Sequence, residues 1–385
     1  MPLEAVIWRK LDHPNVLKLL EVVQDYKSVY LIAEGCPGRD FAQYLKTRKS
    51  FSEAELAALM TQILGVLSAS QRQNIIYRNL RPSSFVMVPG VEETLKLVDF
   101  GSACSGCQQE KLKREMSDFL APEVRINGVF SEKCDMWSAG MLMLLVCTGE
   151  TAASPAVLLS GLGSKLSIKA KDLLSQLLAT EPANRPTAVA CLSHPWLRKY
   201  AVDTDLQSTL AESLANAQKK GAPDALKRAV LTFVCTRLMG LSELGDLKKL
   251  FQKLDENADG RISKAELLKG IHTLSNKPQS AEEADNLFKL LDCNHSGTIE
   301  YTEFLVMTTS DRKVLTDHNL RIAFNSLDLD QSGKVGVEEL KRILKVEGAT
   351  EEAWKVYVGA VDLSGDGEIN YEEFKAWVTR VFRSD

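Results

Sequence analysis

The sequence predicts a mainly α chain of the α+β class, with a mixed front domain and an all-α rear. Three observations lead there. At roughly 150 residues per domain, 385 residues imply two or three domains. The charge is uneven: residues 1–245 hold 28 Lys and Arg against 25 Asp and Glu, net +3, whereas residues 246–385 hold 19 against 26, net −7. The acidic stretch also repeats, with four similar twelve-residue segments set between helical patterns.

Composition bounds the class. Hydrophobic residues are 45% and charged residues 25%, which supplies real cores and excludes a collagen-like, mucin-like or wholly disordered protein. The longest apolar run, Met141 to Cys147, suits a core helix and falls short of the ~18 residues of a membrane span. Met1-Pro2-Leu3-Glu4 shows no secretory signal, and Pro2 stands where N-myristoylation needs glycine. No membrane anchor is visible. The 8 cysteines are too scattered for a disulfide framework and fit a reducing compartment, so a cytoplasmic location is expected. Cys104-Ser105-Gly106-Cys107 has redox or metal spacing, but with no second pair and no nearby His it reads as chance thiols in a loop. No dense basic stripe with interleaved aromatics is present, so nucleic acid is not an expected partner.

The front, residues 1–200, carries short signatures. Val98-Asp99-Phe100-Gly101 follows an apolar strand containing Leu95 and Leu97, and Ala121-Pro122-Glu123 comes about twenty residues later. Asp135-Met136-Trp137-Ser138-Ala139-Gly140 opens a buried apolar helix, Asn184-Arg185-Pro186 follows, and His194-Pro195-Trp196 closes the unit. Five signatures in this order and spacing resemble the large lobe of a protein kinase. The resemblance makes Asp99 the Mg²⁺-binding, hence cofactor-binding, aspartate, and makes Arg185 the partner of the Glu123 carboxylate.

Residues 201–245 form a helical junction. Leu226, Val230, Phe233, Val234 and Leu238 lie near one face at helical period, with Lys219, Lys220, Lys227, Arg228 and Arg237 around it. A basic amphipathic helix is what an opened calcium-sensor groove captures, and an interdomain packing helix reads equally well. The run 217–223 is expected to break the junction into two pieces.

The rear repeats begin at Asp255, Asp292, Asp328 and Asp362 and read DENADGRISKAE, DCNHSGTIEYTE, DLDQSGKVGVEE and DLSGDGEINYEE. Ca²⁺ takes six to eight hard oxygens: side chains at positions 1, 3 and 5, a backbone carbonyl at 7 and a bidentate Glu at 12. These positions give Asp255, Asn257, Asp259, Arg261 and Glu266 in loop 1, and Asp292, Asn294, Ser296, Thr298 and Glu303 in loop 2. Loop 3 offers Asp328, Asp330, Ser332, Lys334 and Glu339; loop 4 offers Asp362, Ser364, Asp366, Glu368 and Glu373. Gly260, Gly297, Gly333 and Gly367 mark the sharp turn at position 6, and Ile262, Ile299, Val335 and Ile369 suit short strands pairing loops back to back. Four such loops in phase are EF-hands in two pairs, 246–311 and 312–385, holding about four Ca²⁺. Full loading would add +8 to a region at −7.

A kinase-like lobe, a helical segment and four EF-hands together resemble the calcium-dependent protein kinases of plants and protists, over nearly the whole chain from Glu4. Leu11-Asp12-His13-Pro14-Asn15-Val16 resembles the segment after that family's helix C. This implies Glu4 as the helix-C glutamate, Ala33 as the gatekeeper and Glu34 as the start of the hinge. In that family the junction blocks the kinase cleft and Ca²⁺ removes it.

The departures are specific. The chain begins at helix C, without the Gly-rich loop and phosphate-pairing Lys of a kinase. The catalytic loop, expected as His-Arg-Asp-Leu-Lys-Pro-Glu-Asn, is Tyr77-Arg78-Asn79-Leu80-Arg81-Pro82-Ser83-Ser84. Asn79 stands at the catalytic Asp, Ser84 at the Mg²⁺-binding Asn and Arg81 at the Lys. Glu115-Met116 replaces the Gly-Thr before Ala-Pro-Glu, and the stretch from Thr148 to Lys171 is short for helix G.

These readings imply a kinase-like large lobe with a remnant small lobe, followed by a calmodulin-like EF-hand tandem. The expected function is a calcium sensor with a catalytically degenerate Ser/Thr kinase-like domain, a pseudokinase with no catalytic residue. In it Ca²⁺ rearranges the junction helix, which docks intramolecularly or controls a protein partner. The alternative is an active calcium-dependent Ser/Thr kinase using Mg·ATP, truncated at its N-terminus. A plain Ca²⁺ buffer needs neither the front domain nor a target helix.

Overall fold

The computed structural model describes residues 2–383 except 37, 49, 89–93, 107, 110–117, 151–161, 163–165, 201–205, 222–224, 239–244, 275–280, 311–314 and 345–349. The chain divides into two compact units, Met1–Thr204 with Asp255–Arg261, and Asp205–Leu254 with Ile262–Asp385.

The first unit is α+β. A short helix α1 (Leu3–Arg9) precedes the antiparallel hairpin β1 (Leu19–Gln24) and β2 (Val29–Ala33), with Val22 opposite Leu31. A two-residue strand β3 (Arg39–Asp40) leads into α2 (Phe41–Thr47), where the Asp40 carboxylate caps the first turn through the Gln43 amide. The long helix α3 (Glu53–Arg72) starts in a capping box formed by Ser52 and Glu55, which satisfies amides that the first turn leaves open. Then come β4 (Ile75–Ile76), β5 (Phe85–Val88), β6 (Thr94–Leu97) and β7 (Cys104–Ser105), with β3, β5 and β6 forming one sheet and β4 pairing β7. After β8 (Gln108–Gln109), α4 (Pro122–Asn127) and β9 (Val129–Phe130), helix α5 (Glu132–Thr148) runs through the middle of the core. From Cys134 to Leu144 every residue of α5 is buried, the all-round burial of a central helix. Helices α6 (Ile168–Leu177), α7 (Ala188–Leu192) and α8 (Pro195–Tyr200) close the unit.

The second unit is helical except for short loop strands. Helices α9 (Gln207–Lys220) and α10 (Ala225–Leu238) precede α11 (Gly245–Leu254), and Gly221 ends α9 at φ +63°, the break expected in the 217–223 run. Around the first two loops lie β10 (Arg261–Ser263), α12 (Lys264–Leu274), α13 (Ala281–Leu291), β11 (Thr298–Glu300) and α14 (Tyr301–Thr308). Around the last two lie α15 (Asp317–Leu327), β12 (Lys334–Val335), α16 (Val337–Leu344), α17 (Glu351–Val361), β13 (Ile369–Asn370) and α18 (Tyr371–Arg383). The β-branched residues do what the pattern implied: β10 pairs β11, β12 pairs β13 with Val335 opposite Ile369, and all four side chains are buried. Among the described residues no helix is long and apolar enough to cross a membrane.

The junction helices belong to this second core. Helix α9 packs on α11, α12, α13 and α14, while α10 packs on α14, α15, α16 and α18. Val230, Phe233 and Val234 are buried as the periodicity predicts, and so are Leu231 and Cys235. The side chains of Leu226, Lys227, Arg237 and Leu238 lie outside the described residues. One part of the basic face needs correction. Lys220 is 3% exposed, and its Nζ donates to the Val306 and Thr309 carbonyls at 2.8 and 2.6 Å, while Asn216 Nδ2 donates to the Thr308 carbonyl at 2.9 Å. A helix leaves its last carbonyls without intrahelical donors, and α9 supplies those donors for α14.

Candidate functional site: a kinase-like cleft and four EF-hand loops

The loop Tyr77–Ser84 is held by the start of α5. Asp135, 2% exposed, accepts from the Tyr77 and Arg78 amides at 2.7 and 2.9 Å, which clamps Arg78 at φ +68°. Burial pushes the Asp135 carboxyl up to about 7, against the pull of those two amides. Arg78 Nε donates to the Ser102 carbonyl at 2.5 Å, and its guanidinium lies 5.3 Å from the Phe130 ring centroid. Ser84 is wholly buried and donates through Oγ to the Asn79 carbonyl at 3.2 Å, so its hydroxyl ties the loop to itself.

Asp99 follows β6, and its Oδ1 accepts from the Gly101 amide at 3.1 Å. A methyl built on Gly101 would sit 3.4 Å from Asp99 Oδ1 and 3.8 Å from both Glu4 oxygens, so the two carboxylates flank one spot. Burial, then the charge of Asp99, raises the Glu4 carboxyl above its ordinary value. Phe100 is wholly buried between Trp8, stacked at 5.4 Å, and Tyr77, edge-on at 5.7 Å, so α1, the Asp-Phe-Gly turn and the catalytic-type loop share one aromatic column.

The anchoring pair forms as the resemblance implied. Arg185 makes a bidentate bond to Glu123 at 2.6 and 2.8 Å, donates to the Ala179 and Lys133 carbonyls, and lies 5.0 Å from the Trp137 ring centroid. With the Thr180 carbonyl at 3.1 Å, all five N–H donors of this buried guanidinium are answered. A second anchor was not read from the sequence. Glu53 accepts from Ser167 Oγ, Trp196 Nε1 and Tyr200 OH at 2.9, 3.1 and 3.2 Å, joining α3 to the chain's later helices. No local motif announces it, because its partners lie more than 110 residues away. Glu115, Met116, Cys107 and most of the stretch from Thr148 to Lys171 lie outside the described residues. Cys104 is buried in β7.

In the EF-hand loops the position-1 carboxylates organise the turn. Asp255, Asp292 and Asp328 each accept from the amides at positions 5 and 6 within 2.8–3.0 Å. Asp362 instead accepts from Gly365 and Gly367 at 2.6 and 2.7 Å. The position-12 glutamates reach across loops 2, 3 and 4: Glu303 to the Asn294 amide at 3.0 Å, Glu339 to Leu329 at 2.7 Å and Glu373 to Ser364 at 2.9 Å. Burial pushes the Glu303 carboxyl up to about 7. The position-6 glycines have φ from +82° to +88°, and nothing lies within 4 Å of a methyl built on Gly297, Gly333 or Gly367. Their need is therefore torsional rather than steric. Position 4 shares this conformation, at Ala258, His295, Gln331 and Gly365, a requirement the sequence analysis missed and that only Gly365 advertises.

These donors fit a hard divalent cation. They are oxygens, and in loop 3 one oxygen each of Asp328, Asp330 and Glu339 lies within 4.8 Å of the others, a grouping that the carboxylates of the other three loops do not make among the described residues. When bound, Ca²⁺ supplies the charge that draws such oxygens together and closes the loop.

The comparisons agree with this architecture. Residues 1–197 match the protein kinase domain, and residues 246–309 and 317–379 match the EF-hand domain pair. Calcium-dependent protein kinase 3 of Plasmodium berghei (strain Anka) is 31% identical over 96% of this chain and 71% of its own length. Calcium-dependent protein kinase 4 of Plasmodium falciparum (isolate 3D7) is 28% identical over 98% and 77%, and calcium-dependent protein kinase 8 of Arabidopsis thaliana 28% over 94% and 71%. A kinase-type domain joined to two EF-hand pairs defines a calcium-sensing, calcium-binding protein. The chain belongs to the calcium-dependent protein kinase family.

Proposed function

We propose that this chain is a calcium sensor whose kinase-like lobe transfers no phosphate and serves as a scaffold. In this reading about four Ca²⁺ rearrange the junction helices to control a protein partner. The observation that carries it is the catalytic-type loop. Asn79 offers an amide where the resembled enzymes offer a carboxylate base, and an amide cannot take the proton of a substrate hydroxyl. Ser84 spends its hydroxyl on the Asn79 carbonyl inside the core. Asp99 remains beside Glu4, and the neighbouring Phe100 packs the lobe. Support for the calcium limb is the burial of Phe233 and Val234 among EF-hand helices, which makes α10 responsive to any change in those helices.

The test is phosphate transfer from labelled ATP by the full chain, with Ca²⁺ and with chelator, beside a thermal shift with Mg·ATP. No transfer is expected in either state. Transfer that Asp99→Ala abolishes overturns the scaffold reading in favour of the second one, an active Ser/Thr kinase. That second reading is favoured by the intact Glu123–Arg185 pair and the assembled column Trp8–Phe100–Tyr77, and by the relatives being named calcium-dependent protein kinases. For the calcium limb, hydrogen exchange across residues 207–238 is expected to change between chelator and Ca²⁺. Unchanged protection would make α9 and α10 static packing helices.

A further inference from the structure

At the side-chain ligand positions 1, 3, 5 and 12, loop 4 has as many carboxylates as loop 3: Asp362, Asp366 and Glu373 against Asp328, Asp330 and Glu339. The structure treats the two sets differently. Loop 3 gathers its three within 4.8 Å of one another, whereas loop 4 holds no such group among the described residues. A side chain from loop 3 also reaches the carboxylates of loop 4. Lys334 Nζ, carried on β12, lies 2.6 Å from Asp366 Oδ2 and 3.7 Å from Glu368 Oε2. It sits there by register. Lys334 pairs with Asn370 across β12 and β13, so its stem emerges beside the fourth loop, while its own carbonyl faces the third and accepts from Ser332 Oγ at 3.0 Å.

We propose that Lys334 is a tethered cation that occupies the Asp366 corner of the fourth loop and weakens Ca²⁺ binding there. This rests on the EF-hand loops binding Ca²⁺ as read above. An Asp366 oxygen bonded to an ammonium must release it before coordinating a metal. The ammonium, held within reach by the strand pair, also repels the incoming double charge. Lys334 is 41% exposed and flexible enough to swing away, so the result is a graded penalty rather than a blocked site. The third site therefore fills first and the fourth later, at a Ca²⁺ concentration set by Lys334. The two loops of one pair, alike in donor count, become a two-step sensor.

Gly333 and Gly367 give separate reporters, because each donates its amide to the position-1 carboxylate of its own loop at 2.8 and 2.7 Å. The experiment is a Ca²⁺ titration of the ¹⁵N-glycine-labelled full chain at fixed pH and ionic strength, for wild type, Lys334→Met and Lys334→Arg. In wild type the Gly333 resonance is expected to titrate before that of Gly367. In Lys334→Met the Gly367 midpoint should fall about 3- to 10-fold, as removing one charge near a divalent ion at moderate dielectric implies, with Gly333 moving less than about twofold by the same reckoning. Lys334→Arg should behave as wild type, and added KCl should narrow the gap between wild type and Lys334→Met. An unmoved Gly367 midpoint, or equal shifts at both glycines, overturns the proposal while leaving calcium binding intact. Titration of neither glycine in wild type below about 1 mM, the weak limit for such loops, overturns the calcium reading and the proposal with it.

Discussion

The front lobe and the rear tandem keep different things. In the front, several residues that match the kinase pattern pack, Phe100 in its aromatic column, Asp135 under the loop amides and Arg185 in its cage of acceptors, while Asp99 and Glu4 match it as carboxylates flanking one spot. Of the residues that depart from it, Tyr77 packs in that column, whereas Asn79 and Ser84 stand where the resemblance places groups that face the reaction. In the rear, the ligand positions themselves match, from Asp255 to Glu373, because there a ligand is also a structural part: the position-1 carboxylates close their turns, and the glutamates of loops 2 to 4 bridge their loops. Where a functional group doubles as a fold determinant it stays legible as both. Where the two roles sit on different residues, a fold can keep its shape while its chemistry is open to change.

The largest effect that would sharpen this contrast is at the Glu123–Arg185 pair. Arg185→Ala leaves a carboxylate only 12% exposed and several carbonyls without their donor, so the front lobe should lose about 3–5 kcal/mol. Hydrogen exchange read helix by helix in the full chain checks it: protection of α5 should drop while that of α14 holds. A loss under about 1 kcal/mol, the worth of an exposed ion pair, would mean that the pair is a passenger.

Next in size is the rear. Glu339→Gln removes the bidentate carboxylate from the loop whose donors converge best. Its Ca²⁺ affinity should weaken about a hundredfold, close to 2.7 kcal/mol, with no effect on Arg185-dependent protection of α5. Site-resolved titration at Gly333 measures it. An unchanged midpoint would show that Glu339 is structural only, and the contrast between the two regions would fail.

How much of this could be read beforehand follows the same division. The EF-hand pairs were legible because the residues that shape each loop lie within twelve positions of one another. The kinase-type anchors were legible because Asp-Phe-Gly, Ala-Pro-Glu and Asn-Arg-Pro are local words with fixed distant partners in the resembled family. Glu53 was not, since Ser167, Trp196 and Tyr200 come to it only through the tertiary fold. Lys220 was read only as one of five basic residues around the junction helix, because helical period cannot tell a lysine facing water from one facing the carbonyls of another helix. Lys334 was read through its backbone carbonyl alone, and its side-chain position depends on a strand register no repeat spells out.

A smaller effect tests Asp135 through pH. Its folded-state carboxyl is raised to about 7 from 3.8, so the folded lobe binds this proton more tightly than the unfolded chain. The stability it contributes is complete below about pH 4 and is lost as pH rises through about 7. Front-lobe protection should therefore decline between about pH 5.5 and 7.5 more steeply in wild type than in Asp135→Asn. The variant itself loses about 1–3 kcal/mol of amide acceptance at every pH, so the readout is the slope and not the level. Parallel slopes would place the titration on another group.

The smallest effect compares loops 3 and 4 at position 4. Both hold that residue at positive φ, Gln331 at +59° and Gly365 at +76°, and nothing lies within 4 Å of a methyl built on Gly365. Any cost of a side chain there is torsional, roughly 1–2 kcal/mol for an L-residue in the left-handed region. Gly365→Ala should therefore destabilise the second EF-hand pair by about 1 kcal/mol, once the reduced freedom of the unfolded chain, about 0.4–1 kcal/mol, is set against it. The reverse change, Gln331→Gly, relieves the same strain and restores the same freedom, so it should stabilise by about as much. Denaturant midpoints of the two variants in chelator, followed at Trp354 and Trp377, should move in opposite directions. If both fall, position 4 makes contacts through Gln331 that the torsional argument omits, and the two loops differ in more than their tethered lysine.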